Sequence, residues 1–215
     1  MPVAPKRAID SSEPSAYERF HSTFQAAVTQ ELEALVEDLR SAAARVADQP
    51  VNSSDPPTHR WDGAEADVSK SLKALVDELV ARWGFVLATY RAHVAAEDEV
   101  VLPALAARVS NVAHAYELEH EAEDSLFDAI TQALDEAVEL MATNEGGGPA
   151  HTERLQGAIQ RAARTAHATK TALAQHLAKE HAHLVPLMDD AFVGLEISLR
   201  KGPYGHYVQL GGNLS

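Results

Sequence analysis

His93-Val94-Ala95-Ala96-Glu97-Asp98-Glu99-Val100-Val101-Leu102-Pro103 and His176-Leu177-Ala178-Lys179-Glu180-His181-Ala182-His183-Leu184-Val185-Pro186 are two copies of one pattern. In each, a glutamate follows the histidine by four residues and a proline follows it by ten. On a helix, positions i and i+4 lie on one face, so each copy presents an imidazole and a carboxylate side by side. Such a couple can grip a metal ion. Two copies imply two ions and a pseudo-symmetric site.

The surrounding sequence supplies the helices. The first is expected from about Ser15 to Val46, with Ser15-x-x-Glu18 as a capping box and His21, Phe24, Val28, Leu32, Leu35 and Leu39 as its inner stripe. The second runs from about Ala64 to Leu102 along Leu72, Val76, Leu79, Trp83, Val86, Tyr90, His93 and Glu97, and Pro103 ends or kinks it. The third starts near Ser110 and ends near Thr143, with Tyr116, His120, Asp124, Phe127, Ile130, Leu134 and Val138 on one side. The fourth runs from about Thr152 to Val185 along Leu155, Ile159, Ala162, Ala166, Thr169, Leu173, His176 and Glu180. A polar, proline-rich link (48–63) and Gly146-Gly147-Gly148-Pro149 separate these runs. A short helix is expected over Leu187–Arg200, and then an irregular tail. The fold class is therefore all-α, an up-down-up-down four-helix bundle. The expected division is a flexible arm over 1–13, the bundle over 14–200 and the tail over 201–215.

Antiparallel neighbours put His21, His93, Glu97, His120, His176 and Glu180 at one end of the bundle, all on inward stripes. Burying four imidazoles and two carboxylates without partners would be costly, and metal ions offset that cost. Nitrogen and oxygen donors without sulfur suit iron, manganese or zinc. Each ion would take one solitary histidine, one histidine of a repeated couple and a share of Glu97 and Glu180. Open positions would remain for O2, peroxide or NO. A ferritin-like alternative uses Glu18-x-x-His21 and Glu117-x-x-His120 with Glu97 and Glu180 as lone carboxylates, but it leaves His93 and His176 without a task.

The ordered set of a solitary His21, His93-x-x-x-Glu97, a solitary His120 and His176-x-x-x-Glu180, with the dipeptide Glu119-His120, resembles the hemerythrin-like (HHE cation-binding) domain family over residues 15–190 or so. The resemblance implies a non-heme centre of two Fe ions, oxo- or hydroxo-bridged, in a four-helix bundle. The oxygen-carrying branch has H-x-x-x-H on its third helix, where this chain has His120-x-x-x-Asp124, and closes on a His and an Asp five apart, where this chain has His176-x-x-x-Glu180. The more symmetric, carboxylate-richer set is similar to bacterial members tied to peroxide, NO or iron handling, or to oxidation of an organic substrate. Asp124 is then an extra ligand or an outer hydrogen-bond partner. Tyr90 and Tyr116, one turn before His93 and His120, either pack or hydrogen-bond toward the site.

Bulk properties bound the alternatives. The chain has 215 residues, 46% of them hydrophobic, enough for one core. A net charge of −14 argues against nucleic acid or an anionic membrane as partner. No apolar stretch is long enough to span a bilayer and no secretion signal is recognisable, so a cytoplasmic location is expected. The absence of cysteine excludes disulfides, Fe–S clusters and thiolate zinc sites. His114 and His167 are expected off the site, His181 and His183 are expected to face outward unless one of them approaches the site, and the run Glu119-Glu121-Glu123-Asp124 is expected mostly in solvent. The C-terminal tail, leaving the bundle at the metal end, is expected either to cover the site and control access or to be a disordered or interface-forming segment. Three functions follow: an O2-dependent oxidase, oxygenase or peroxidase-like enzyme; a sensor or iron-handling binding protein without turnover; or a metal-free helical interaction protein.

Overall fold

The computed structural model describes residues 16–47, 64–143, 148–192, 197–202 and 205–210. The N-terminal arm, Ser15 of the capping box, the 48–63 link, most of the glycine loop and the last residues of the tail lie outside the described residues. The chain is all-α in its main body. Its helices are α1 (Ala16–Ala47), α2 (Ala64–Ala96), the short α3 (Leu102–Ala106), α4 (Ala113–Thr143), α5 (Pro149–Lys179) and α6 (Val185–Ala191). Two strands follow, β1 (Ile197–Gly202) and β2 (Gly205–Leu210). The chain divides into two units, residues 27–176 and residues 1–26 with 177–215.

In residues 27–176, interhelical pairs fix the topology. Trp83 donates its indole N–H to Thr131 Oγ1 at 3.0 Å and Arg91 pairs with Asp128 at 3.1 Å, so α2 runs antiparallel to α4. Arg161 pairs with Glu136 and His176 with Glu119, so α5 runs antiparallel to α4. Lys170 reaches Glu33 of α1 at 3.2 Å, and Arg82 of α2 reaches Asp38 and Glu31 of α1. The Asp38 hydrogen bond is the main cause of a raised Arg82 pKa, partly opposed by burial. The result is the up-down-up-down bundle. Its core is apolar and tight: Leu32, Leu35, Leu39, Leu79, Phe127, Ile130, Leu134, Ile159 and Leu173 are buried to 2% exposure or less.

The elements differ from the sequence reading at their ends, each for a local reason. Asn111 has φ 64°, a left-handed conformation that asparagine tolerates, and this delays α4 to Ala113 rather than Ser110. Pro149 starts α5 three residues earlier than Thr152. Proline suits the first helical position, and the Gly148 carbonyl accepts the His151 and Thr152 N–H groups. Pro103 and Pro186 do not end their helices. In each copy a five-residue π-helical turn, Glu97–Val101 or Glu180–Leu184, precedes the proline-bearing helix α3 or α6. Proline lacks an N–H and its ring crowds the carbonyl four residues back, and widening the turn relieves both. The N–H of Leu102 then bonds to the Glu97 carbonyl, and that of Val185 to the Glu180 carbonyl.

In the second unit, Tyr17, His21 and Phe24 are buried at the start of α1, and Leu177, Glu180, Leu184, Val185, Met188 and Phe192 at the C-terminal end. The expected short helix over Leu187–Arg200 is corrected: α6 stops at Ala191. The expected irregular tail is corrected as well. β1 and β2 pair antiparallel, Ile197 opposite Leu210 and Gly202 opposite Gly205. Alternating Ile197-Ser-Leu199 and His206-Tyr-Val208 suit a period of two rather than a helical one. No described helix is long and apolar enough to cross a membrane.

Candidate metal centre

Within residues 27–176, α2 and its π-helical turn carry Tyr90, His93, Glu97 and Asp98. α4 carries Tyr116, Glu119, His120 and Glu123, and α5 carries His176. The π-helical turn begins at Glu97 itself, so the widened turn sets the height and direction of that carboxylate. Glu97 Oε2 stands 3.4 Å from His93 Nε2 and 3.5 Å from His120 Nε2, with all three residues buried. Ligand atoms of Glu97, His120 and His176 lie within 4.8 Å of one another. Donors bonded at about 2.1 Å to one ion stand roughly 3.0–3.4 Å apart, close to the spacing of the glutamate and its two imidazoles.

The other nitrogen of two rings is already assigned. His120 Nδ1 lies 2.8 Å from Asp98 Oδ1, and His176 Nδ1 lies 2.9 Å from Glu119 Oε2. A carboxylate accepts, so each Nδ1 carries the proton and donates it. Each Nε2 then keeps a lone pair for the cluster. This is how metal-binding histidines are held in one tautomer, and it shows on this chain's own residues that the donor set fits a metal ion. Burial disfavours a charged His120, but its hydrogen bonds to Glu97 and Asp98 outweigh burial and raise its pKa.

Glu123 lies 3.9 Å from His176 Nδ1 and accepts a hydrogen bond from the Tyr90 hydroxyl at 3.2 Å. Burial, then the nearby Glu123 charge, push the Tyr90 phenol well above its ordinary pKa, so it stays a donor. Tyr90 also stacks on Phe127, ring centroids 3.9 Å apart, and Phe127 stacks on Trp83. Tyr116 meets the His176 ring edge-on at 6.0 Å.

In the unit of residues 1–26 and 177–215, His21 Nε2 and Glu180 Oε2 are 2.9 Å apart and both side chains are fully buried. Glu180, like Glu97, opens a π-helical turn. The His21 ring lies 6.1 Å from the exposed His181 ring and 6.2 Å from the Tyr17 ring. Among the described residues His21 Nδ1 has no hydrogen-bond partner.

All six proposed ligands are therefore buried. His93, Glu97, His120 and His176 gather in one unit, and His21 pairs with Glu180 in the other. Asp124 is a correction: it is exposed, and the buried carboxylate is Glu123. The buried positions of α4 step by four and three alternately, through Tyr116, His120, Glu123, Phe127, Ile130 and Leu134. A step of four from His120 to Asp124 breaks that rhythm. The solvent assignment of the acidic run holds for Glu121 and Asp124, holds in part for Glu119, whose side chain is 38% exposed, and is corrected for Glu123. The ferritin-like pairing is overturned at Glu117, which is 52% exposed and lies 3.6 Å from His114 on the outer face. Sequence reasoning also missed Asp98. Its signal was adjacency, since it directly follows a buried ligand inside the repeat.

Fold and site together define a helical-bundle protein with a buried His/Glu group able to hold a metal ion. No family model and no solved structure matches the chain. Three curated proteins of Arabidopsis thaliana do. Zinc finger protein BRUTUS is 37% identical over 111 residues, 52% of this chain and 8% of that protein. Two BRUTUS-like zinc finger proteins are each 33% identical, over 130 and 135 residues, covering 59% and 61% of this chain and 9% of each of theirs. The chain thus spans under a tenth of the length of these relatives. It has no cysteine, so the shared stretch is not a thiolate-ligated zinc finger.

Proposed function

We propose that the chain is a hemerythrin-like iron-binding protein that handles or senses iron, or a small ligand of iron, by binding without turnover. The proposed ligands are His21, His93, Glu97, His120, His176 and Glu180, holding two ions, with Glu97 and Glu180 available to be shared. Glu180 falls one helical turn after His176, as Glu97 does after His93, which is why both couples are assigned to one centre. The observation that carries the reading is the pair of carboxylate-backed imidazoles, His120 on Asp98 and His176 on Glu119, presenting Nε2 beside buried Glu97. Iron is preferred over zinc and manganese because a carboxylate-rich, sulfur-free set suits it and agrees with the order of the motifs.

Iron with open positions supplies binding sites for O2, peroxide or NO. The chain's own residues supply the rest. Asp98 and Glu119 fix the two imidazole tautomers. Tyr90 holds the Glu123 carboxylate by donating its hydroxyl proton. The apolar side chains of Phe127, Val86 and Leu173 are buried along the same helices. A groove of about 390 Å3 between α1 and α5 is lined by Arg40, Gln156, Arg164 and His167 and by none of the cluster residues.

The test is metal content after purification without added metal. About two iron ions per chain and no consumption of a reductant under air support the reading. Stoichiometric zinc, or less than one metal ion per chain, overturns it. Sustained turnover of a reductant with O2 would move the protein to the oxidase class.

A further inference from the structure

We infer that the groove between α1 and α5 is a binding site for a small organic dianion, a phosphate ester or a dicarboxylate. All of its lining belongs to residues 27–176 and none of it is a proposed metal ligand, so the site stands independently of the iron reading. Local charge is the first ground. The chain carries 32 acids against 18 lysines and arginines. Over residues 151–170 of α5 that balance reverses, with Arg154, Arg161, Arg164 and Lys170 against Glu153 alone. Two of these cations are met by acids of other helices, Arg161 by Glu136 of α4 and Lys170 by Glu33 of α1. Among the described residues Arg164 has no ion pair, and neither has Arg40 of α1. Both line the groove.

Helix register is the second ground. Lys170 reaches Glu33 at 3.2 Å, which fixes how α1 lies against α5. Arg164 is six residues back along α5 and Arg40 seven on along α1. At 1.5 Å per residue both steps cover roughly 9–10 Å in the same direction. One level of this helix pair thus sets an acid against a base, and a level roughly two turns away sets two guanidiniums side by side. They repel each other unless an anion lies between them. No carboxylate lines the groove, and its other polar side chains, His167, Gln156 and Gln160, can all donate hydrogen bonds. Guanidiniums take carboxylate and phosphate oxygens through paired hydrogen bonds. The floor sets the rest of the ligand. Ala43 and Ala163 are buried, whereas Arg40, Arg164 and His167 are exposed. Methyl groups below and guanidiniums at the rim suit a carbon body bearing charged oxygens, and about 390 Å3 is the space of a small-molecule site.

The experiment is calorimetric titration of the full chain with glycerol 3-phosphate, succinate and inorganic phosphate at one fixed ionic strength. The expected result is one glycerol 3-phosphate or one succinate per chain, the tighter of the two naming the class, with inorganic phosphate about tenfold weaker for want of a carbon body. Arg40→Gln and Arg164→Gln should each weaken binding about tenfold. Arg164→Glu, which sets an acid beside Arg40, should abolish it. Both arginines are exposed, so the helical circular dichroism and the metal content of these variants should match the parent. Failure of both organic dianions to bind saturably at millimolar concentration overturns the inference. So does binding that survives Arg164→Glu, or inorganic phosphate held as tightly as the organic dianions. A chain that binds the dianion but retains no iron overturns the iron reading alone.

Discussion

The bundle of residues 27–176 has two kinds of interior. Toward one end, Leu32, Leu35, Leu39, Leu79, Leu134 and Ile159 fill the space between helices, each 2% exposed or less. Toward the other, the same helices bury His93, Glu97, His120, Glu123 and His176, each 5% exposed or less. The first interior is stabilised by removal of apolar surface from water, about 25 cal/mol per Å2, and needs nothing added. The second gathers lone pairs and negative charge, which stabilise the fold only when a cation joins them. Folding therefore rests on one end, and the proposed iron binding on the other.

The largest effect expected from breaking this contrast is in the apolar end. Leu39→Ala, at a fully buried position, should cost roughly 2–5 kcal/mol of stability. The cost should be the same with and without iron, as read by chemical denaturation of both forms. A cost that depends on iron would mean that the two interiors are not separable.

The next effect belongs to the polar end. Stripping the metal should lower stability by about 3–4 kcal/mol at free iron some hundred- to thousandfold above Kd. For a chain of this length that is roughly a 10 °C fall in Tm by calorimetry. Glu97→Gln should abolish the difference between stripped and loaded protein while leaving the stripped protein at least as stable as the parent. A variant that still gains Tm on loading would remove Glu97 from the ligand set.

The smallest effect sharpens the boundary between the two interiors. Tyr90→Phe removes the hydroxyl that Glu123 accepts from at 3.2 Å and should cost roughly 1–3 kcal/mol. The Phe127 stacking surface is retained, so iron stoichiometry should not change. Loss of iron in this variant would place Tyr90 and Glu123 among the residues that hold the metal.

What was legible in the sequence follows from what is local. Every stripe position assigned to α2 from Leu72 to Glu97, and to α5 from Leu155 to Glu180, is buried, because each run keeps an uninterrupted helical rhythm. The α4 stripe was read correctly at Tyr116, His120, Phe127, Ile130 and Leu134. It slipped at Asp124, and at Val138, which is 37% exposed. At Asp124 two adjacent acids offered no chemical contrast to fix the register. The hairpin was missed because the alternation in Ile197–Leu210 is short and pairing partners are not a local property. The π-helical turns were half visible. The repeated proline announced a disturbance, but whether a helix breaks, kinks or widens depends on what packs around it.

The sequence by itself determined the helices, their inward faces and the burial of the six residues proposed as ligands, because spacing along a helix dictates which side chains share a side. Only the tertiary structure decided that Asp98 and Glu119 back two of the imidazoles and that Glu123 rather than Asp124 is buried. Those facts depend on side chains from different helices meeting in space, and on a widened turn that re-aims each glutamate. No one-dimensional period encodes either.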